Sequence, residues 1–131
     1  MIRDFWERAV NRDQSSKWED LRLWKMDLKE AYTLLAFRPE DAGLFGMEVT
    51  GDLVHLQIAG IFGWACTTAA FQVVTCAIKW ELTHILQSCV DMYVDDIIGV
   101  CFDKDLRSNL IHSRGVCTDL LGPTAVADDK T

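Results

Sequence analysis

Cys89-Val-Asp-Met-Tyr-Val-Asp-Asp-Ile-Ile-Gly-Val-Cys-Phe102 is an apolar run with two adjacent carboxylates, Asp95 and Asp96, at its centre. The residues on both sides are β-branched or aromatic, so each flank reads as a strand and the acidic pair falls at the tip of a hairpin. Two-residue hairpin tips favour Asn-Gly or Asp-Gly, because the turn needs positive φ. Asp-Asp fits that geometry poorly, and two neighbouring like charges repel. Read alone, Tyr-Val-Asp-Asp also fits an ordinary solvated turn. A departure from local rules is nonetheless where function is sought first. Paired acids on a rigid hairpin are hard oxygen donors in fixed positions, which a divalent metal site requires.

A third carboxylate belongs with the pair. Leu21-Arg-Leu-Trp-Lys-Met-Asp-Leu28 alternates, with Leu21, Leu23, Lys25 and Asp27 on one face and Arg22, Trp24, Met26 and Leu28 on the other. It reads as a strand ending near Asp27. Asp27, Asp95 and Asp96 from two separate strands can hold two Mg²⁺ ions about 3.5–4 Å apart, the arrangement used for in-line phosphoryl transfer.

The rest of the chain reads as a small mixed fold. Residues 1–20 form an amphipathic helix and linker, with Phe5, Trp6 and Val10 at helical spacing and a loop at Asp13–Ser16. Lys29–Leu35 reads as a short helical turn, and Arg38-Pro39-Glu40-Asp41 punctuates the chain after it. Gly43–Val49 and Leu53–Ala59 read as a hairpin closed by Thr50-Gly51-Asp52. After the break at Gly60-Ile-Phe-Gly63, Thr67 or Thr68 is expected to cap a helix running to about Gln87, with Phe71, Val74, Ile78, Leu82 and Ile85 as its core stripe. Asp105 to Leu121 reads as a last helix, stopped by Gly122-Pro123. The closing Ala125-Val-Ala-Asp-Asp-Lys-Thr131 is expected to begin a new element.

Composition narrows the classes. With 131 residues, half of them hydrophobic and only two prolines, the chain can bury a core. Its net charge is −7, so it is not an electrostatic nucleic-acid binder by itself, because phosphate contacts demand Lys and Arg. Cys66, Cys76, Cys89, Cys101 and Cys117 are irregularly spaced and apart from the histidines, which argues against structural zinc or a disulfide framework. Their mostly apolar neighbours predict reduced, buried thiols in an intracellular protein, cytoplasmic or nuclear, and the N-terminus has no signal-peptide pattern. From Leu53 to Ile78 there is no Asp, Glu, Lys or Arg, long enough for a membrane span. Gln57, Gly60, Gly63 and Gln72 interrupt it, so a strand, a loop and a core helix are expected and no membrane.

Three motifs in order resemble the palm of reverse transcriptases. Lys25-Met-Asp27-Leu-Lys-Glu-Ala-Tyr32 is similar to the family's first motif. Gly60-Ile-Phe-Gly63-Trp-Ala-Cys-Thr-Thr-Ala-Ala-Phe-Gln72 is similar to its second, a Gly-rich turn entering a helix. Tyr93-Val-Asp-Asp96 is similar to its signature hairpin. The wording looks most like retrotransposon enzymes. The resemblance implies an α+β fold: an antiparallel palm sheet backed by helices over residues 21–131, without most of the fingers or the thumb. It implies RNA-directed DNA polymerase chemistry on a template–primer and a deoxynucleoside triphosphate, with Mg²⁺ as cofactor and Mn²⁺ as substitute.

It also implies roles. Asp27 and Asp95 are the main metal ligands with the Leu28 carbonyl, and Asp96 is bound less directly. Tyr32 is the steric gate against a ribose 2′-OH. Phe62, Gly63 and Trp64 shape the nucleotide floor, Gln72 orders it, and Tyr93 lies near the primer terminus. Lys130 is the candidate general acid for pyrophosphate. Without the resemblance, Tyr32 fits a core aromatic, Gly63 a turn glycine, Gln72 a helix-face residue and Lys130 a tail charge. Cys66 and Thr68 depart from the family's Gly and Pro. That departure, and the lack of fingers and thumb, leads us to expect a chain inactive alone. The alternative is a decayed palm that keeps the fold and acts at most as a binding module.

Overall fold

The computed structural model describes residues 1–61, 63–86 and 89–128. Among the described residues, two antiparallel sheets and three α-helices form a mixed α+β architecture. In order these are α1 (Ile2–Arg12), β1 (Leu21–Asp27), β2 (Gly46–Thr50), β3 (Leu53–Leu56), α2 (Ala65–Leu86), β4 (Cys89–Tyr93), β5 (Asp96–Phe102) and α3 (Asp103–Leu121). Short 3-10 turns occupy Trp18–Asp20, Ala31–Leu34 and Pro39–Phe45. The main sheet has the order β1-β5-β4, and β2 and β3 form a separate ribbon.

The alternation in β1 decides which way the sheet faces. Trp24, Met26 and Leu28 are buried and point to the helices. Their partners Gly99 and Ile97 on β5, and Val90 on β4 opposite Gly99, share that side. Against them pack Phe71, Ile78 and Leu82 of α2 and Cys117 of α3. Each fully buried large apolar side chain stabilises the fold by about 1.5–3 kcal/mol, so this layer supplies most of the driving force.

Trp24 sets a steric condition on its partner. A Cβ on Gly99 would run into the Trp24 indole ring, so the indole occupies the space beside the β5 backbone where no side chain stands. The opposite sheet face is only half covered. α1 closes its far end, where Phe5 meets Phe102 with ring centroids 5.3 Å apart and Arg8 donates to Cys89 Sγ at 2.6 Å. At the near end, Leu23, Ile98 and Tyr93 stay exposed.

Several expectations shift. α2 begins at Ala65, two residues before Thr67, so Thr67 is not a cap; it is buried inside the first turn. Ile85 is exposed and Thr75 is buried in the stripe. The helix face that meets the sheet therefore follows Thr67, Phe71, Thr75, Ile78 and Leu82, a rotation that apolar spacing alone did not resolve. α3 starts at Asp103 rather than Asp105, with both acids in its first turn, favourable to the helix dipole. Of the thiols expected to be buried, Cys101 and Cys117 are, Cys89 is half-buried, and Cys66 and Cys76 are exposed on α2. Residues 53–78 divide between β3, a turn and α2, and among the described residues no helix is long and apolar enough to cross a membrane.

Two outcomes follow from this packing. Gly99→Ala should destabilise the chain by about 1–3 kcal/mol, the scale of overpacking a tight core, read from urea unfolding followed by tryptophan fluorescence. Burial pushes the Cys101 and Cys117 thiols up to about 11 and about 12 respectively, so a thiol-reactive disulfide reagent at neutral pH should label Cys66 and Cys76 quickly and spare Cys101 and Cys117 until the chain unfolds.

Candidate active site

The candidate site is built where β1 ends beside the β4–β5 hairpin. Strand register places Asp27 directly opposite Asp96 and Tyr93 opposite Asp96 on the other side. Asp27, Asp96 and Tyr93 thus form one row across the sheet on its half-covered face. Two-residue alternation adds Lys25 to that face.

The turn differs from the expected acidic tip. Tyr93 pairs with Asp96, so the two connecting residues are Val94 and Asp95, and Asp96 is already the first residue of β5. The left-handed residue is Val94, with φ of 55°. A β-branched residue is disfavoured there, at a cost of about 1–3 kcal/mol. The Leu28 amide donates to the Asp95 carbonyl at 2.8 Å and ties the tip to the end of β1. That tie helps hold the turn in its strained form.

Charge is concentrated in the row. Asp27 is buried while Asp96 is about a third exposed, and Lys25 Nζ lies 3.1 Å from Asp27 Oδ1 and 2.9 Å from Asp96 Oδ1. A hydrogen bond with Asp27 holds the Asp96 carboxyl above the usual carboxylate range, with Lys25 pulling the other way and burial adding to the rise. The same contacts, to Asp96 first and then Asp27, hold the Lys25 ammonium above the usual lysine range. Farther along the face, Lys79 Nζ meets Asp91 Oδ1 at 2.7 Å.

The segment after α3 completes the wall. The Ala127 amide donates to the Asp27 carbonyl at 3.0 Å and the Lys29 amide to the Ala125 carbonyl at 2.7 Å. Val126 bridges Leu28 in antiparallel fashion, and Ala125, Val126 and Ala127 are buried. Of the new element expected from Ala125 to Thr131, the residues to Asp128 are described, and they make a single bridge to Leu28. They do not extend outward; they fold back as a strand-like edge beside Asp27.

Next to the row lies a cleft of about 740 Å³ lined by Leu28, Tyr32, Asp95, Thr124 and Asp128 among others. That volume is within the range of about 300–1,000 Å³ seen for small-ligand sites. Tyr32 is buried; its ring meets Phe71 edge-on at 5.6 Å and its hydroxyl lies 3.4 Å from Thr68 Oγ1. It is both a core aromatic and a wall of the cleft. Gly60 allows this placement, since a Cβ there would strike the Tyr32 carbonyl and Thr67.

The second-motif residues lie elsewhere. Gly63 has φ of 87° and open space around it, so it serves the turn into α2. Trp64 packs on Phe37 and Phe45, with centroids 5.4 and 4.8 Å away. Gln72 is exposed and contacts Cys76 within α2 at 3.6 Å. None of the three lines the cleft that holds Asp95 and Tyr32. Phe62 and Lys130 lie outside the described residues. Sequence reading gave Lys25, Gly60 and the 125–127 segment no role at the site. For Lys25 the signal was present, two residues before Asp27 on the same face.

Among the described residues, no three His, Cys, Asp or Glu side chains converge as a ready metal cage. Asp27 and Asp96 nonetheless supply paired carboxylate oxygens, the donor type for a hard divalent ion, and an ammonium already sits between them. The donor chemistry therefore fits such an ion.

Asp96 gives a pH-dependent outcome. A carboxyl whose folded value is raised favours folding while protonated, and that contribution is lost as pH rises through the raised value. In metal-free buffer, Asp96→Asn should therefore gain stability over the parent chain as pH rises from about 4 to 7, by about 0.5–1 kcal/mol, the scale of a like-charge cross-strand pair. Thermal melts across that range check it.

Compared with known proteins, no family model matches the chain, and no curated protein matches it.

Proposed function

We propose that the chain is a reverse-transcriptase-type polymerase palm of retrotransposon kind, whose acids belong to an RNA-directed DNA polymerase centre. The observation that carries the reading is the row Asp27–Asp96–Tyr93, set by strand register, with Asp95 in the adjoining turn. Carboxylates from two strands, next to a walled cleft, are what a nucleotidyl-transfer centre needs. Asp27, Asp95 and Asp96, with the Leu28 carbonyl, are the residues that hold Mg²⁺ in this reading. Held there, Mg²⁺ would supply Lewis-acid chemistry, lowering the pKa of a primer 3′-OH and offsetting charge on a triphosphate.

The chain's own residues supply the rest. Tyr32 narrows the cleft at the position assigned to the sugar, excluding a 2′-OH by bulk. Exposed Tyr93, Leu23 and Ile98 offer an apolar surface beside the acids for the primer end. Grip on the nucleic-acid backbone is weak, since the chain carries a net charge of −7 and phosphate affinity scales with basic contacts.

A second reading keeps the fold without the activity. Cys66 and Thr68, where the family has Gly and Pro, favour it. Mn²⁺ titration separates the two. The polymerase reading expects binding that weakens at least about tenfold in Asp27→Asn, since a carboxylate ligand is lost. Binding indifferent to Asp27→Asn, Asp95→Asn and Asp96→Asn alike would sink it. On a primed RNA template with Mg²⁺ or Mn²⁺, the isolated chain should extend the primer little or not at all. Robust extension that depends on Asp95 would overturn that expectation of weak activity.

A further inference from the structure

We propose that Lys25 is a built-in counter-ion of the acidic pair: its ammonium holds the Asp27 and Asp96 carboxylates together, and a divalent cation must displace it to enter. The inference rests on the reading of Asp27 and Asp96 as metal ligands, and adds a residue that controls how readily they bind.

Three observations carry it. The first is position. Lys25 Nζ is 3.1 Å from Asp27 Oδ1 and 2.9 Å from Asp96 Oδ1, so it touches the oxygen atoms a metal ion would take. An Mg²⁺ ion bound about 2.0–2.1 Å from the same oxygen atoms would lie within a few ångströms of the ammonium, and the two positive charges repel. The second is need. Asp27 and Asp96 are directly opposed across neighbouring strands, a destabilising placement for like charges, made worse by the burial of Asp27. Two further cations of the sheet region are engaged with other acids, Lys79 with Asp91 and Arg22 with Asp103.

The third is freedom to leave. Lys25 sits two residues before Asp27 on the same face of β1, and its side chain is about half exposed, 51%. Its aliphatic stem can swing the charge into water without moving the strand. The site therefore has two cationic states, one closed by its own lysine and one occupied by metal. The apparent metal affinity is then that of the bare carboxylates reduced by the cost of releasing Lys25.

The test compares Mn²⁺ binding, by loss of the free-ion EPR signal, in the parent chain and in Lys25→Met, Lys25→Arg and Asp27→Asn. Lys25→Met keeps the stem and removes the charge, so it should bind Mn²⁺ about tenfold more tightly, allowing for partial solvent screening. Lys25→Arg should stay near the parent. In chelator, Lys25→Met should melt below the parent chain, and Mn²⁺ should raise its melting temperature by more. Should Lys25→Met fail to fold by circular dichroism, Lys25→Gln, which keeps an amide donor for the carboxylates, takes its place with the same expectation. Equal or weaker Mn²⁺ binding in the uncharged variant, with binding still lost in Asp27→Asn, overturns the counter-ion role and leaves the metal site standing. Absence of any Asp27-dependent binding in both chains overturns both.

Discussion

The packing of Trp24 against Gly99 holds β1 and β5 in a single register, and the geometry of the candidate site depends on it. With Trp24 opposite Gly99, Met26 falls opposite Ile97 and Asp27 opposite Asp96. A slip of one residue would send every side chain of β1 to the other face. The acids would then turn into the helix layer and the core residues into solvent. Large apolar burial on one face thus positions charged groups on the other.

That arrangement carries a cost located at the site itself. Two carboxylates face each other, one of them buried, and the turn that aims the second strand keeps Val94 in a left-handed conformation. These are unfavourable features that a sequence selected only for stability would lose. The fold offsets them locally, through Lys25 between the acids, the Leu28–Asp95 backbone bond at the tip, and the 125–127 segment along the edge of β1. Strain held in place by its surroundings at a charged, half-open position is the pattern of a functional site.

Much of this was legible in the residues. The period-two alternation of Leu21–Asp27 assigned Lys25 and Asp27 to one face, and the strand–turn–strand reading of Cys89–Phe102 placed the acids at one end of the sheet. Other features were not. The core face of α2 includes Thr67 and Thr75 and omits Ile85, because helix rotation is decided by what packs against it. The turn centre moved from the acidic pair to Val94-Asp95, since cross-strand pairing of Tyr93 with Asp96 outweighed local turn preference.

The sequence by itself determined the elements, the faces of β1 and the presence of three acids at the ends of strands, because these follow from side-chain periodicity along a single stretch of chain. Only the tertiary structure decided that Asp27 meets Asp96 while Asp95 turns to the neighbouring cleft, that Lys25 bridges the first two, and that residues 125–127 close the edge beside them. Those outcomes join segments far apart in the chain. They depend on which backbone hydrogen bonds and which steric fits win in three dimensions, and local propensity does not encode that competition.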